Sequence, residues 1–543
     1  MKKRNTIPLQ LFAACLVGLL LGKFCFSTTK EGVELSLFNG KISKMQSIIN
    51  IIDNRYVDVV DIDSINELII PTLLSRLDPH SIYVPAQRLN ESERRIRGQY
   101  YGVGIEFNVY NDTAMVLRIK PESPAAESTL KPGDRIVEVD GHNVTGKNAK
   151  SLVSDNLTGE YGREVVIGVK RYGIDSIYSA KVQFGVVPVP SAIASFMVDS
   201  LTGYLKLESF GDKSYREFCL KVLDLRMEGA KNLIIDLREN RGGRLEQAKN
   251  IASEILYIGD TIAYTIGRSN TVEELYTDTA HYGICRAMDV ACLVDENSAS
   301  AAEILAATIQ DNDRGVIVGR RTFGKGLVQT PIMMMDGSQV RLTTQRYYMP
   351  SGRSLQKDYK DYDDDLFNRF KVGEFDSASA FHPKDTTIYY TRNHRTVYSK
   401  SGVMPDVFIP FSMTDNYTPL TDKIRQQNLT QRYVAERYNQ MMCDSLQQFI
   451  HALFDDERTT FDDMMTYAQH NGISMDFRKD KKAIEDCYDE MMPLLKSDAY
   501  HLFGDEDISY KYYYNNDTVI SAATQILNDK PLLYKTLNKK KTE

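Results

Sequence analysis

The sequence predicts a multidomain α+β protein with a helical N-terminal region, a β-rich module, a strand–helix alternating core and a helical C-terminal region. The chain has 543 residues, which at roughly 150 residues per domain corresponds to three or four domains. Hydrophobic spacing changes from helical to strand-like near residue 97, and to strand–helix alternation near residue 200. With 42% apolar and 26% charged residues, the composition is that of a globular chain rather than a disordered or fibrous one.

Charge and cysteine content exclude several classes of function. A formal net charge of −7 argues against a nucleic-acid partner, which requires a concentrated basic face. Five of the seven cysteines lie outside the apolar segment at 7–26, and no CxxC pair or HExxH motif occurs. The sequence therefore predicts no disulfide framework, no metal site and no cofactor.

The N-terminus has the layout of an export signal. A cationic run at 2–4 precedes an apolar run at 7–21, as in a signal peptide, although Cys25-Phe26-Ser27 is a poor cleavage site. A membrane anchor over 7–26 and a lipid-anchored Cys15 are the alternatives. All three interpretations export the remaining chain, and an anchor would tether it to the inner membrane on the periplasmic side.

The first two regions follow from the hydrophobic spacing. Apolar positions keep helical spacing through residues 36–93, which are predicted to be helical. From residue 97, short apolar runs are separated by turns such as Asn111-Asp112 and Asp140-Gly141. Strands are predicted at 104–109, 114–119, 135–139 and 165–171.

The next region alternates strands with helices, which predicts an α/β core. The run at 232–237 is continuously apolar, as in a strand buried on both faces. Residues 354–400 are charged and aromatic without a clear period and are predicted to be an insertion, and the chain beyond 415 is polar and helical. Further strands are predicted at 203–208, 290–294, 316–318 and 339–347, and helices at 212–228, 245–256 and 301–310.

The segment 294–303 contains a candidate nucleophile. A buried strand ends, a turn of small residues includes Ser298 and Ser300, and a helix begins. The free N–H groups of a helix N-terminus favour a developing negative charge. Ser300 and Glu303 also form a capping box, which many helices have for stability alone. This segment by itself predicts either a helix cap or a catalytic serine.

A lysine between two glycines is the second candidate. Lys325 lies in Gly324-Lys325-Gly326, and Leu327 excludes a phosphate-binding loop, which needs Ser or Thr at that place. A buried lysine with a lowered pKa can act as a general base. A β-like run at 325–329 would keep alternate side chains on one face. The alternative is a surface lysine in a turn.

A glycine pair follows the buried strand at 232–237. Gly242 and Gly243 form either a strand-to-helix turn or, through their N–H groups, half of an oxyanion hole. The N–H of Ala301 would supply the other half.

Taken together, these segments resemble the C-terminal processing peptidases, serine proteases with a Ser–Lys dyad. The resemblance is carried by Ser-Ala-Ser-Ala-Ala-Glu at 298–303 and Thr-Phe-Gly-Lys-Gly-x-Val-Gln at 322–329. It implies that Ser300 is the nucleophile, that Lys325 is the base and that Gln329 orients the lysine. Further matches are Arg55-Tyr56-Val57-Asp58, Leu77-Asp78-Pro79-His80-Ser81, Tyr347-Tyr348-Met349-Pro350-Ser351-Gly352-Arg353 and Gly402-Val403-Met404-Pro405-Asp406.

The same resemblance implies a domain plan. Residues 95–186 would form a PDZ domain, and residues 187–414 a serine peptidase core with a ClpP/crotonase-like α/β fold. The other predicted parts are 1–27 as signal peptide or anchor, 36–93 as the helical N-terminal region, 354–400 as an insertion and 415–543 as the helical C-terminal region. The PDZ loop that would grip a peptide's terminal carboxylate consists of Tyr101, Gly102, Val103, Gly104 and Ile105.

The sequence differs from the family pattern at one position near the site, and it offers one alternative to the lysine base. Arg241 replaces a proline that the family usually has before the glycine pair, which should leave that turn less restricted. A histidine base is the rival to Lys325, but His80 and His142 lie in turns and are expected to be capping or exposed residues.

The predicted function is therefore an exported serine endopeptidase that recognises C-terminal segments through its PDZ domain. Its predicted partners are proteins or peptides with free C-termini and, through the N-terminal segment, a membrane. Homo-oligomerisation stays open. The alternative is a catalytically silent PDZ scaffold for exported proteins, and the intact Ser300, Lys325 and Gln329 argue against it.

Overall fold

The computed structural model describes residues 44–277, 279–359, 362, 364–383, 385–411, 417–441, 443 and 445–539. The apolar run at 7–21, predicted as a signal peptide or anchor, lies outside these residues. Within them, no helix combines the length and the apolar character that crossing a membrane requires. The boundary between two compact units of the chain falls between Ile70 and Pro71.

The described N-terminal region is helical, as predicted. Helices α1, α2 and α3 span Lys44–Arg55, Ile62–Leu74 and Ala86–Arg97. The prediction missed strand β1 (Ile82–Val84), which pairs antiparallel with β18 (Gln339–Tyr348). With three residues, β1 is too short to show a period in the sequence.

The β-rich module is an antiparallel sheet with strand order β3-β4-β5-β7-β8. Asn111 and Asp112 have φ angles of +48° and +60°, the left-handed values that a two-residue hairpin turn requires, and they join β3 to β4. Helix α4 (Ala149–Asn156) packs beside this sheet. The strands are β2 (Gln99–Gly102), β3 (Ile105–Tyr110), β4 (Thr113–Ile119), β5 (Arg135–Val139), β6 (His142–Asn143), β7 (Glu164–Lys170), β8 (Tyr178–Gln183) and β9 (Gly185–Pro188).

The core is a six-stranded sheet of order β10-β11-β12-β15-β16-β21, parallel except for the β10–β11 pair. Alternate residues of its strands enter two apolar clusters on opposite faces. The elements are β10 (Ala192–Met197), β11 (Thr202–Leu207), β12 (Asn232–Asp236), β15 (Asp289–Val294), β16 (Gly315–Gly319) and β21 (Val407–Phe408), with helices α5 (Ser214–Met227), α6 (Leu245–Ile255) and α7 (Ala301–Asp311) on one face. The predicted α+β organisation is confirmed.

A second sheet flanks this core and contains strands that the sequence analysis did not predict. Its path is β1-β18-β13-β14, and β17 (Leu327–Met333) pairs with β18. Strands β13 (Thr261–Gly267) and β14 (Val272–Tyr276) form a hairpin. β14 is mostly exposed, so it has no apolar period to recognise. The predicted insertion holds helix α8 (Asp365–Lys371) and the short hairpin β19 (Ile388–Tyr390) and β20 (Thr396–Tyr398).

The helical C-terminal region packs on two different partners. Helices α9–α14 share an apolar cluster with Met115 of the β-rich module, and α16 and α17 cover the core-sheet face opposite α5–α7. These helices are α9 (Pro419–Gln426), α10 (Leu429–Met441), α11 (Leu446–Phe454), α12 (Glu457–His470), α13 (Lys481–Glu485), α14 (Tyr488–Leu502), α15 (Glu506–Tyr513), α16 (Thr518–Asn528) and α17 (Lys530–Thr536).

One ionic cluster joins the β-rich module to the C-terminal helices. His501 contacts Glu106 at 3.2 Å and Glu506 at 3.1 Å, and Arg118 pairs with both carboxylates. Although burial opposes it, these carboxylates raise the pKa of His501 to about 9. Burial also opposes the shift of Glu106, yet its bond to His501 and the charges of Arg118 and Lys120 lower its pKa to about 2.

This cluster should make stability depend on pH in two windows. The His501 contribution is complete below pH 6.5 and is lost as the pH rises towards about 9, because the folded-state pKa is raised. The Glu106 contribution is complete above pH 4.5 and is lost as the pH falls towards about 2. We expect the Tm difference between wild type and His501→Gln to be largest between pH 4.5 and pH 6.5. It should then shrink as the pH rises from 6.5 to about 9. A constant difference over that range would contradict the ion pairing.

Candidate active site

Ser300 lies at the turn between β15 and α7. Its φ and ψ are +58° and −117°, a conformation that residues other than glycine rarely adopt and that is typical of functional sites. Ser300 is half-buried, whereas Ser298 is fully buried. The Ser298 hydroxyl donates to the carbonyl oxygen of Leu237 at 2.7 Å. Of the two candidate serines, Ser298 thus fixes the turn and Ser300 is the one that a substrate can reach.

A single buried carboxylate connects this turn to the lysine segment. Glu303 Oε2 accepts the N–H groups of Ser300 at 3.0 Å and Lys325 at 2.7 Å. Its Oε1 accepts the N–H of Gly324 at 2.7 Å and the hydroxyl of Thr322 at 2.5 Å. Complete burial raises the pKa of Glu303, although these hydrogen bonds favour its charged form. The sequence analysis recognised Glu303 only as a capping residue and missed this link.

The Lys325 side chain is held by a short chain of hydrogen bonds. Its Nζ donates to Gln329 Oε1 at 2.7 Å, and Gln329 Nε2 donates to the carbonyl oxygen of His80. Burial lowers the pKa of Lys325 against the opposing charges of Glu303 and Asp78. The lysine is therefore biased towards the neutral form that a general base needs.

The strand predicted at 325–329 begins later than expected. β17 starts at Leu327, and a bulge occurs between Val328 and Gln329. The N–H of Lys325 bonds to Glu303 and that of Gly326 to Gln356 Oε1 at 2.9 Å, so neither joins a strand ladder. At these two residues the side chains of Glu303 and Gln356 accept the backbone N–H groups that a neighbouring strand would otherwise accept.

The glycine turn lies directly against the serine. A Cβ added to Gly242 would lie 2.8 Å from Ser300 Cβ and 2.9 Å from the nitrogen of Ala301. One added to Gly243 would lie 2.3 Å from the carbonyl oxygen of Phe210. Only glycine fits at either position without displacing backbone atoms.

Asn240 holds this turn through two hydrogen bonds. Its Oδ1 accepts the Gly242 N–H at 2.8 Å, and its own carbonyl accepts the N–H of Ala299 at 2.9 Å. These bonds involve Asn240 and not Arg241, so the expectation that Arg241 leaves the turn less restricted stays a prediction. The Gly242 N–H is already bonded here, whereas Gly243 is exposed.

Asp236 and Arg238 connect the same turn to the C-terminal region. Although burial opposes it, Arg238 and Lys206 lower the pKa of Asp236 below its ordinary range. Arg238 Nη1 also pairs with Asp517, the N-cap of α16, at 2.7 Å. No local sequence pattern predicts a role for these residues, because Asp517 and Lys206 lie far from them in the chain.

His80 was expected to be a capping or exposed residue, but it is neither the cap of its turn nor fully exposed. The cap is Asp78, whose carboxylate accepts the His80 N–H at 2.8 Å. The imidazole is half-buried and bonded to Tyr362 of the insertion. Burial and the charges of Lys325 and Lys357 lower the pKa of His80 to about 4. His80 is therefore neutral near pH 7, and its backbone carbonyl, rather than its ring, supports the lysine.

The insertion at 354–400 forms the outer support of the lysine segment. The N–H of Lys357 donates to the carbonyl oxygen of Gly324 at 3.0 Å, and its ammonium lies 3.8 Å from the centre of the Phe323 ring. Arg369 of α8 donates to the carbonyl oxygen of Arg321 at 2.7 Å. The insertion has no regular apolar spacing, so its sequence alone predicts no function for it.

The predicted peptide-binding loop runs from the end of strand β2 to the start of strand β3 of the β-rich module, outside the core sheet that carries Ser300. Tyr101 and Gly102 end β2, Ile105 begins β3, and the N–H of Val103 donates to Leu157 O at 3.2 Å. Gly104 has φ +84°, and a Cβ there would lie 2.2 Å from Ser123 Cβ. The structure brings Ser300, Lys325, Gln329, Gly242, Gly243 and Ala301 together and places this loop in the β-rich module.

Comparisons with known proteins match the core and the β-rich module. Residues 201–365 match the model of peptidase family S41, and residues 102–182 match that of the PDZ domain. The carboxy-terminal-processing protease of Bartonella bacilliformis is 29% identical over 320 residues, which cover 58% of this chain and 73% of that protein. The carboxy-terminal processing protease CtpB of Bacillus subtilis is 27% identical over 319 residues, 58% of this chain and 66% of its own.

A solved structure is also similar. The photosystem II D1 C-terminal processing protease aligns with 68% of this chain and 92% of its own, at 23% identity and a TM-score of 0.34. The two family models match the core that carries Ser300 and the module that carries the predicted loop. As the sequence predicted, the chain contains a peptidase core that matches family S41 and a PDZ domain, and it is similar to carboxy-terminal processing proteases, which are serine-type peptidases.

Proposed function

We propose that this chain binds the C-terminal segments of exported proteins through its PDZ domain and cleaves their peptide bonds through a Ser300–Lys325 acyl-enzyme. The Glu303 carboxylate carries the proposal, because it holds the backbone of both residues within 3.0 Å of one group. A silent scaffold would have no use for a strained, accessible serine beside a lysine whose pKa is lowered.

The first step is attack by Ser300 Oγ on a substrate carbonyl carbon, with neutral Lys325 Nζ accepting the hydroxyl proton. Gln329 and the His80 carbonyl orient the amine through their hydrogen bonds. As the C–N bond breaks, the lysine returns a proton to the leaving amine. Water then attacks the ester carbonyl and Lys325 accepts its proton. As the ester C–O bond breaks, Lys325 returns this proton to Ser300 Oγ and the acid product leaves.

The oxyanion of the tetrahedral intermediate needs N–H donors at the glycine turn and the helix N-terminus. Gly242, Gly243 and Ala301 were predicted for this task. We assign it to Gly243 and Ala301, since the Gly242 N–H donates to Asn240. Gly242 then serves by its lack of a side chain next to Ser300.

Export is part of the proposal and is supported by the cationic run at 2–4 followed by the apolar run at 7–21. A peptidase placed in the periplasm, by a signal peptide or an inner-membrane anchor, meets exported chains there. Homo-oligomerisation is not needed for this mechanism.

A comparison of two peptides tests the function. The purified chain is incubated with a peptide that ends in a free carboxylate and with the same peptide ending in an amide, and products are identified by mass spectrometry. We expect cleavage of the free acid to be about tenfold faster or more, because the loop loses charge-assisted hydrogen bonds to the amide. Equal cleavage would contradict terminal recognition, and binding without any product would favour the scaffold.

A further inference from the structure

A groove of about 880 Å³ runs between strand β3 and helix α4 of the PDZ domain. β3 lies at the edge of its sheet and pairs with β4 on one side. An edge strand offers backbone N–H and C=O groups to an added strand. The proposed function places the substrate's C-terminal segment in this groove, so any selectivity of the groove rests on that function.

The two ends of the groove can be distinguished. The carboxyl end of α4 meets the predicted carboxylate loop, where the N–H of Val103 donates to Leu157 O at 3.2 Å. The amino end lies at the β3–β4 turn, where the N–H of Gly146 donates to Asp112 O at 2.7 Å. A segment whose terminal carboxylate lies at the loop therefore runs antiparallel to β3. Its upstream residues approach the amino end of α4.

The upstream end of the groove is basic. Lys147 and Lys150 line it, both are exposed, and neither ammonium has an ion-pair partner among the described side chains. Of the two groove carboxylates, Glu106 is engaged by the His501 cluster, and Asp155 lies in the carboxyl half of α4. The two lysines thus place these ammonium groups at the end of the groove near the β3–β4 turn.

The C-terminal region forms the rim at this same end. The hydroxyl of Tyr110, the last residue of β3, donates to Asn428 O at 3.4 Å. The Arg432 guanidinium lies 4.9 Å from the centre of the Tyr110 ring. Gln431, between these two contacts, lines the groove together with the α4 lysines. Helix α10 therefore extends the groove with a residue outside the segment that matches the PDZ model.

The spacing along α4 indicates which substrate residues meet the lysines. From Leu157 to Lys150 the helix rises about 11 Å, equivalent to about three residues of extended chain. We propose that Lys147, Lys150 and Gln431 select substrates with acidic side chains three or four residues before the C-terminal residue.

Binding of labelled peptides to the Ser300→Ala full-length chain tests this selection. Two eight-residue peptides share an apolar C-terminal residue and carry either glutamate or lysine at the third and fourth residues before it. By fluorescence anisotropy at low ionic strength, we expect the glutamate peptide to bind about fivefold more tightly. The double variant Lys147→Glu/Lys150→Glu should reverse the preference, and added salt should diminish it.

A matched variant and an amidated peptide separate the causes of failure. Lys181→Glu changes an exposed lysine of β8, the strand at the opposite edge of the sheet, and should leave the preference unchanged. If the free acid binds better than the amide but the two charge patterns bind equally, the charge selection is wrong and the proposed function stands. If acid and amide bind equally, the proposed function itself fails.

Gln431→Glu tests the part assigned to the C-terminal region. The substitution keeps the shape of the side chain and places a carboxyl group at the rim, beside Asp498, to which the Gln431 side chain is hydrogen-bonded. We expect it to weaken binding of the glutamate peptide about threefold and to leave the lysine peptide equally or more tightly bound. Unchanged binding of both peptides would show that α10 takes no part in selection.

Discussion

Ser300→Ala should abolish peptide cleavage, with a loss of at least about 10³-fold in kcat/KM, while peptide binding persists. The substitution removes the nucleophile, and residual turnover then depends on binding and the oxyanion donors alone. Lys325→Met should cause a loss of the same order, and the double variant should be no worse than either single variant, because the two groups act in one step. Initial rates with a quenched-fluorescence peptide measure all three.

Ser298→Ala is the matched control. It changes the other serine of the Ser-Ala-Ser motif, whose hydroxyl donates to Leu237 O in a fully buried position. Removing that bond should cost about 1 kcal/mol or somewhat more in stability and should leave cleavage within about tenfold of wild type. Loss of activity in Ser298→Ala together with activity in Ser300→Ala would reverse the assignment of the nucleophile.

The sequence predicted the parts of the site that local patterns encode. A serine at a strand-to-helix turn, a lysine between glycines and a glutamine four residues later are close in the chain, and their resemblance to the C-terminal processing peptidases joined them into one predicted site. The alternation of strands and helices likewise predicted the core sheet, because buried parallel strands are continuous apolar runs. The two family models match the same regions.

Contacts between distant segments could not be predicted in this way. The carbonyl that supports Gln329 comes from His80, 249 residues earlier, and the Arg238 partner Asp517 lies 279 residues later. Neither contact has a sequence signature, since a backbone carbonyl can come from any residue and an Arg–Asp pair between distant segments has no fixed spacing in the chain. The position of Gln431 at the groove rim is likewise a contact between distant segments, because α10 reaches the PDZ domain only through tertiary packing.

Glu303→Gln should lower kcat/KM by about 10²-fold, because it breaks the link between the two halves of the proposed dyad. The carboxylate accepts four donors, two on each oxygen. A carboxamide has one acceptor oxygen, so its NH₂ group would face two of these donors. The Ser300 and Lys325 segments would then separate by a fraction of an ångström or more.

The pH profile distinguishes this positioning role from a loss of folding. The negative charge of Glu303 raises the pKa of Lys325, against the larger effect of burial. Without that charge the lysine loses its proton more readily, so the acid limb of kcat/KM should move to lower pH in Glu303→Gln. Glu303→Asp keeps the charge but is one methylene shorter, so it should slow cleavage without the same displacement of the acid limb. If Glu303→Gln keeps kcat/KM within about threefold of wild type, the carboxylate is not what aligns serine and lysine.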